Sequence, residues 1–164
     1  MSGDYTLPEE LTLATTLDEV KEWLSQRMMG KGAICPCCER LAKVHPRPLN
    51  ATNVQVLIRM WRTAGRDWVY LPSIRSAGQD EVTAKHWGLI EPRPGLRADG
   101  SNRQGWWRLT AHGEDFVRGR VTIPRRMLIY ADTCHGPDDA TNRVSIQDCL
   151  GIEFDYDKLM RGEL

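Results

Sequence analysis

The chain reads as an α+β protein, and three stretches of sequence carry that prediction. Residues 50–65 place apolar side chains at helical spacing between a capping residue and a glycine. Two short apolar runs, "LIEPRP" and "GWWRLT", flank a polar, glycine-bearing loop, as in a β-hairpin. The last third then changes to a strand-like run followed by two short capped segments. With 164 residues, the chain has room for one compact domain and appendages. At 41% hydrophobic and 27% charged residues it falls within the range of ordinary soluble proteins.

The first expected element is a helix in "TLDEVKEWLSQRM". Thr16 and Glu19 have capping-box spacing, and Val20, Trp23, Leu24 and Met28 share one helical face. Gly30 and Gly32 stop it. "ICPCCERLAKVH" follows, with Cys35, Cys37 and Cys38 in four positions and His45 seven residues on. Asn50 caps the next helix, whose stripe is Val54, Leu57, Ile58 and Trp61, and Gly65 ends it. "DWVYLP" is a short extended run. "SIRSAG" has room for one or two helical turns, and "DEVTAKHWG" predicts a helix opening at Asp80 and closing at Gly88.

The strands "LIEPRP" and "GWWRLT" enclose "GLRADGSNRQ", a loop whose Arg97, Asp99 and Arg103 fit no core. Trp106 and Trp107 are adjacent on a strand, so they face opposite sides, and packing is expected for them ahead of stacking on bases. Thr110 caps the helix "AHGEDFVRG". In the tail, "VTIPRRMLIYAD" reads as strand, and Ser145 and Asp155 cap two short helices. The divisions are residues 1–49 for the N-terminal helix and cysteine turn, 50–119 for the central domain, and 120–164 for a small β/short-helix extension. One expected core joins Leu57, Trp61, Leu89, Ile90, Leu109 and Phe116.

Helix, short strand, helix, helix, strand, basic loop, strand, helix is the plan of a winged helix-turn-helix core. The run "KHWGLIEPRPGLRADGSNRQGWWRLTAHGEDFV" resembles the winged half of MarR-like repressors, through Gly88, Leu89, Ile90 and Glu91, and then Leu109, Thr110 and Gly113. The resemblance covers about residues 50–119. The long flanking helices through which those repressors dimerise have no counterpart here, so their dimer and effector pocket are not carried over. The whole chain also resembles a group of small phage-encoded proteins with a Cys-Pro-Cys-Cys start and no assigned activity. That resemblance implies a phage origin and action in the host cytoplasm.

Formal net charge is zero, but its distribution is uneven. Residues 1–30 carry two basic and six acidic groups, residues 31–126 seventeen and eight, and residues 127–164 three and eight. A basic centre between acidic ends points to a polyanionic partner, and the winged plan makes double-stranded DNA the expected one. The candidate contacts are Thr83 and Lys85 on the recognition helix, Arg75 before it, and Arg93, Arg97 and Arg103 in the wing. Asp80 and Glu81 weigh against this, because they stand at the helix end that usually enters a groove. The rival is a protein-interaction module or host-protein inhibitor on the same fold. A homodimer is compatible with either.

Cys35 and Cys38 have zinc-knuckle spacing, and Pro36 favours the turn. Structural zinc is the preferred reading, completed from His45, Cys134, His135 or Cys149, or by a second chain, with Cys37 able to replace either member of the knuckle. Reduced packed cysteines and a redox pair are the alternatives. The acidic, polar start does not read as a secretion signal, so a reducing cytoplasm, where disulfides are rare, is the expected compartment. There is no long apolar run, so no membrane span is expected. No nucleophile elbow, phosphate loop or carboxylate pair suggests an enzyme.

Overall fold

The computed structural model describes residues 6–75, 81–101 and 105–163. Among these it is a mixed α and β protein with two compact units, residues 1–46 with 128–135, and residues 47–127 with 136–164. Asp80 and Arg103 lie outside the described residues.

The first unit opens with helix α1 (Leu17–Arg27), held by the capping box expected of Thr16 and Glu19. Strands β1 (Ala33–Ile34) and β2 (Leu41–Ala42) form an antiparallel hairpin with the cysteines at its tip. Met28, Ala42 and Val44 make the unit's buried centre, with Leu24, Leu128 and Tyr130 against it. The backbone N–H of Val44 donates to Met28 O at 2.8 Å, which ties the helix end to the chain after the hairpin. Strand β3 (His45–Pro48) belongs to a three-stranded sheet in the order β3-β8-β9, with β8 at Arg126–Tyr130 and β9 at Thr133–Pro137.

The second unit is built around α2 (Ala51–Ala64). Asn50 and Asn53 cap its start reciprocally, and Val54, Val56, Leu57, Ile58 and Met60 are buried. Its remaining elements are β4 (Val69–Tyr70), the 3-10 turns η1 (Leu71–Ser73) and η2 (Glu81–Trp87), β5 (Ile90–Pro92), β6 (Trp106–Leu109), α3 (Ala111–Val117), β7 (Ile123–Pro124), β10 (Arg143–Val144), α4 (Ile146–Leu150) and α5 (Tyr156–Arg161). Helix α2 packs against η2, α3, α4, α5, β4 and β6. Strands β4, β6 and β5 form an antiparallel sheet in that order. The tail closes on the unit by pairing β10 with β7 and by the Tyr156 hydroxyl donating to Val117 O at 2.7 Å.

Leu57, Leu89, Ile90, Leu109 and Phe116 are buried, as the apolar pattern predicts. Trp61 differs: it is half-buried and carries the Arg118 guanidinium 5.5 Å from its ring centre. The expected helix over 80–87 is a 3-10 helix where it is described. Its two inward residues, Ala84 and Trp87, are three apart. Three residues per turn puts such positions on one line, and the β-branched Val82 and Thr83 weaken the case for an α-helix.

Candidate functional site

The hairpin β5–β6 begins at a tight junction. Gly88 has φ +68°, which lets the chain leave η2 and turn directly into β5. The Thr110 hydroxyl donates to Gly88 O at 2.6 Å and accepts from Gly113 N at 2.9 Å, while Thr110 N donates to Leu89 O at 3.0 Å. A Cβ on Gly113 would stand 1.9 Å from Leu89 O. Leu-Thr followed by glycine three residues after the threonine is therefore one clamp: it caps α3 and seats α3 against the start of β5.

Beyond the junction, Ile90 faces Leu109, Glu91 faces Arg108, and Pro92 faces Trp107. Arg93 N donates to Trp106 O at 2.9 Å, and residues 92–100 are all exposed. The tip folds on itself. Arg97 N donates to Ser101 O at 2.7 Å, Gly100 N donates to Arg97 O at 2.9 Å, and Ser101 N donates to Asp99 Oδ1 at 2.9 Å. Hydrogen bonds from the Ser101 backbone and hydroxyl hold the Asp99 carboxyl below its ordinary range.

One face of the β4-β6-β5 sheet carries aromatic rings and arginines that spacing alone does not reveal as partners. Tyr70 and Trp106 are directly paired across strands, with ring centres 5.5 Å apart, and are 39% and 38% exposed. Arg93 lies 5.9 Å from the Trp106 ring centre, and Arg108, ion-paired with Glu91, lies 4.5 Å from that of Trp68. Trp107, on the alternate face, is half-buried.

Of the other candidate contacts, Arg75 is exposed near the end of η1, and Thr83 and Lys85 are half-buried on η2, as is the neighbouring His86. Trp87 anchors η2 by donating from Nε1 to Pro124 O at 2.7 Å. The Arg59 guanidinium, on α2, donates to Ile74 O at 3.1 Å and so steadies the chain after η1.

The cysteine hairpin is well defined. Cys35 N donates to Arg40 O and Glu39 N to Cys35 O, both at 2.8 Å, with Glu39 at φ +56°. Burial pushes the Cys35 thiol up. Hydrogen bonds from the Cys37 and Cys38 backbones, and then from their thiols, outweigh it and hold Cys35 below the usual thiol range. Cys37 and Cys38 are exposed. Among the described residues no three His, Cys, Asp or Glu side chains come together to hold a metal ion. Cys35 and Cys38 thus share one turn, while His45, on β3, and Cys134 and His135, on β9, do not complete a ligand set with them. Cys149 sits on α4 in the second unit, and burial, aided by Asp148, pushes its thiol up to about 11.

No helix among the described residues is long and apolar enough to cross a membrane. No family model, no curated protein and no solved structure matches this chain.

Proposed function

We propose that the second unit is a winged helix-turn-helix module that binds double-stranded DNA, as a regulator or accessory factor encoded by a phage. The loop between β5 and β6, exposed over residues 92–100 and bearing Arg93 and Arg97 there, carries this reading. It projects from a hairpin whose base is clamped by Thr110 and Gly113, and nothing described packs its side chains into a core. The succession α2, β4, η1, η2, β5, β6, α3 fits the winged plan. The basic excess of residues 31–126 supplies the charge that phosphates require. In this reading Arg93, Arg97 and Arg103 reach phosphates or a minor groove, Arg75 approaches the backbone, and Thr83 and Lys85 face the major groove. The test is a titration of fluorescent duplex DNA at several salt concentrations. A DNA binder loses affinity steeply as salt rises; a flat, weak response over the whole range would reject the reading.

A second reading, a protein-binding module that inhibits a host protein, is built on the same unit. An acidic residue stands at the first position of η2, its Thr83, Lys85 and His86 are half-buried, and the exposed Tyr70–Trp106 pair is of a kind enriched at protein interfaces. Affinity capture from host lysate with and without nuclease separates the two. A single protein retained after nuclease favours the inhibitor.

A further inference from the structure

We infer that two copies of this chain join through one shared zinc ion, bound by Cys35 and Cys38 of each copy, at a face that also covers Ile34 and Leu41. The inference does not depend on the DNA reading.

Zinc in a structural site takes four ligands in a closed tetrahedron. The hairpin tip is shaped for two of them. Its turn is closed by the Cys35–Arg40 and Glu39–Cys35 backbone hydrogen bonds, and Glu39 takes the positive φ that lets the chain double back after Cys38. The described residues add no third ligand. One half-buried and one exposed thiolate at a hairpin tip are half of a site, and a second identical half related by a two-fold axis through the metal completes it without any new residue.

Two further observations favour a second copy over a lone hairpin. Ile34 and Leu41 are direct cross-strand partners beside the tip, yet they are 38% and 59% exposed. A two-stranded hairpin gains little stability by itself, and covering this pair from both copies removes apolar surface where the metal already brings them together. Charge also matches. A zinc ion with four thiolates carries two negative charges. Lys31, Arg40 and Lys43 surround the cysteines in sequence with only Glu39 opposing them, so the segment of each copy that flanks the zinc is net positive. Zinc binding displaces the thiol protons, so assembly weakens as pH falls.

The test uses the full chain, kept reduced, with zinc quantified by elemental analysis and molar mass measured by light scattering. The expected result is about half an equivalent of zinc per chain and a particle of twice the chain's 18.7 kDa. A chelator should return it to the monomer. Cobalt should restore the dimer at one ion per two chains, with the intense charge-transfer absorption of thiolate ligation. Cys35→Ser with Cys38→Ser should stay monomeric and metal-free, and Cys37→Ser should behave as the parent. Leu41→Lys, a change at an exposed position, should raise the dimer dissociation constant at least tenfold while preserving the circular dichroism of the monomer. One full equivalent of zinc on a monomer, a dimer that survives both chelator and the double serine change, or no zinc at all would each overturn the inference.

Discussion

At Gly113 a single hydrogen atom separates a fitting side chain from a collision. The adjoining Leu89 carbonyl is backbone just before β5 and accepts from Thr110 N, so it cannot swing away as a side-chain end would. Gly113→Ala should therefore destabilise the second unit by about 3 kcal/mol, the upper end of the usual overpacking range, read as a fall in denaturant midpoint. An unchanged midpoint would show that α3 shifts freely on β5. The cysteines make a second residue-scale case. Cys149, with its thiol pushed up to about 11, should be the slowest of the five to alkylate at neutral pH in the presence of chelator, and Cys37 and Cys38 should be modified early. Its linkage has a definite sign. The folded state holds the proton more tightly than the unfolded, so this thiol's contribution to stability is intact below pH 9 and is lost as pH rises toward about 11. Cys149→Ala should reduce that alkaline loss, measured as the difference between the two stability–pH curves.

The β5–β6 hairpin is the element on which the proposed DNA binding depends. Arg93 divides its duty, since its guanidinium lies over Trp106 while its backbone extends the ladder; Arg97 stands on the exposed tip. Arg93→Ala with Arg97→Ala should weaken duplex binding across all sequences alike and lower the salt slope by about two, one for each phosphate that is no longer neutralised. The melting temperature should change little, because the tip is exposed. A binding curve that coincides with the parent's at every salt concentration would remove the hairpin from the interface. The 3-10 form of η2 bears on the same question. Ala84 and Trp87 spend one face of a narrow helix on packing, so fewer positions remain for a groove than an α-helix of equal length would offer. Thr83→Ala and Lys85→Ala should accordingly cost less affinity than the double arginine change, in the same titration.

On the scale of the molecule, the acidic tail is part of the second unit's packing. Ile146 and Leu150 are buried on α4, and α4 packs on α2. Leu150→Ala should cost roughly 2–5 kcal/mol, as for other large-to-small core changes, and lower the melting temperature of the whole unit. A transition unaffected by it would mean that the tail unfolds apart from α2. What local chemistry governs was legible in the linear order of residues. Thr16, Asn50, Thr110, Ser145 and Asp155 each cap the helix they precede, because a cap needs only neighbours three positions away. The buried set Leu57, Leu89, Ile90, Leu109 and Phe116 was legible too, since periodicity records which face is apolar. Three-dimensional packing decided the rest. It made η2 a 3-10 helix, left Trp61 half-buried under Arg118, and set Tyr70 against Trp106 across a strand pair joining residues far apart in sequence. It also left Cys35 and Cys38 in a formed turn without a third ligand among the described residues. Spacing can shape a two-cysteine turn, but where a distant histidine or cysteine falls depends on how separate strands pair, and no short-range pattern encodes that.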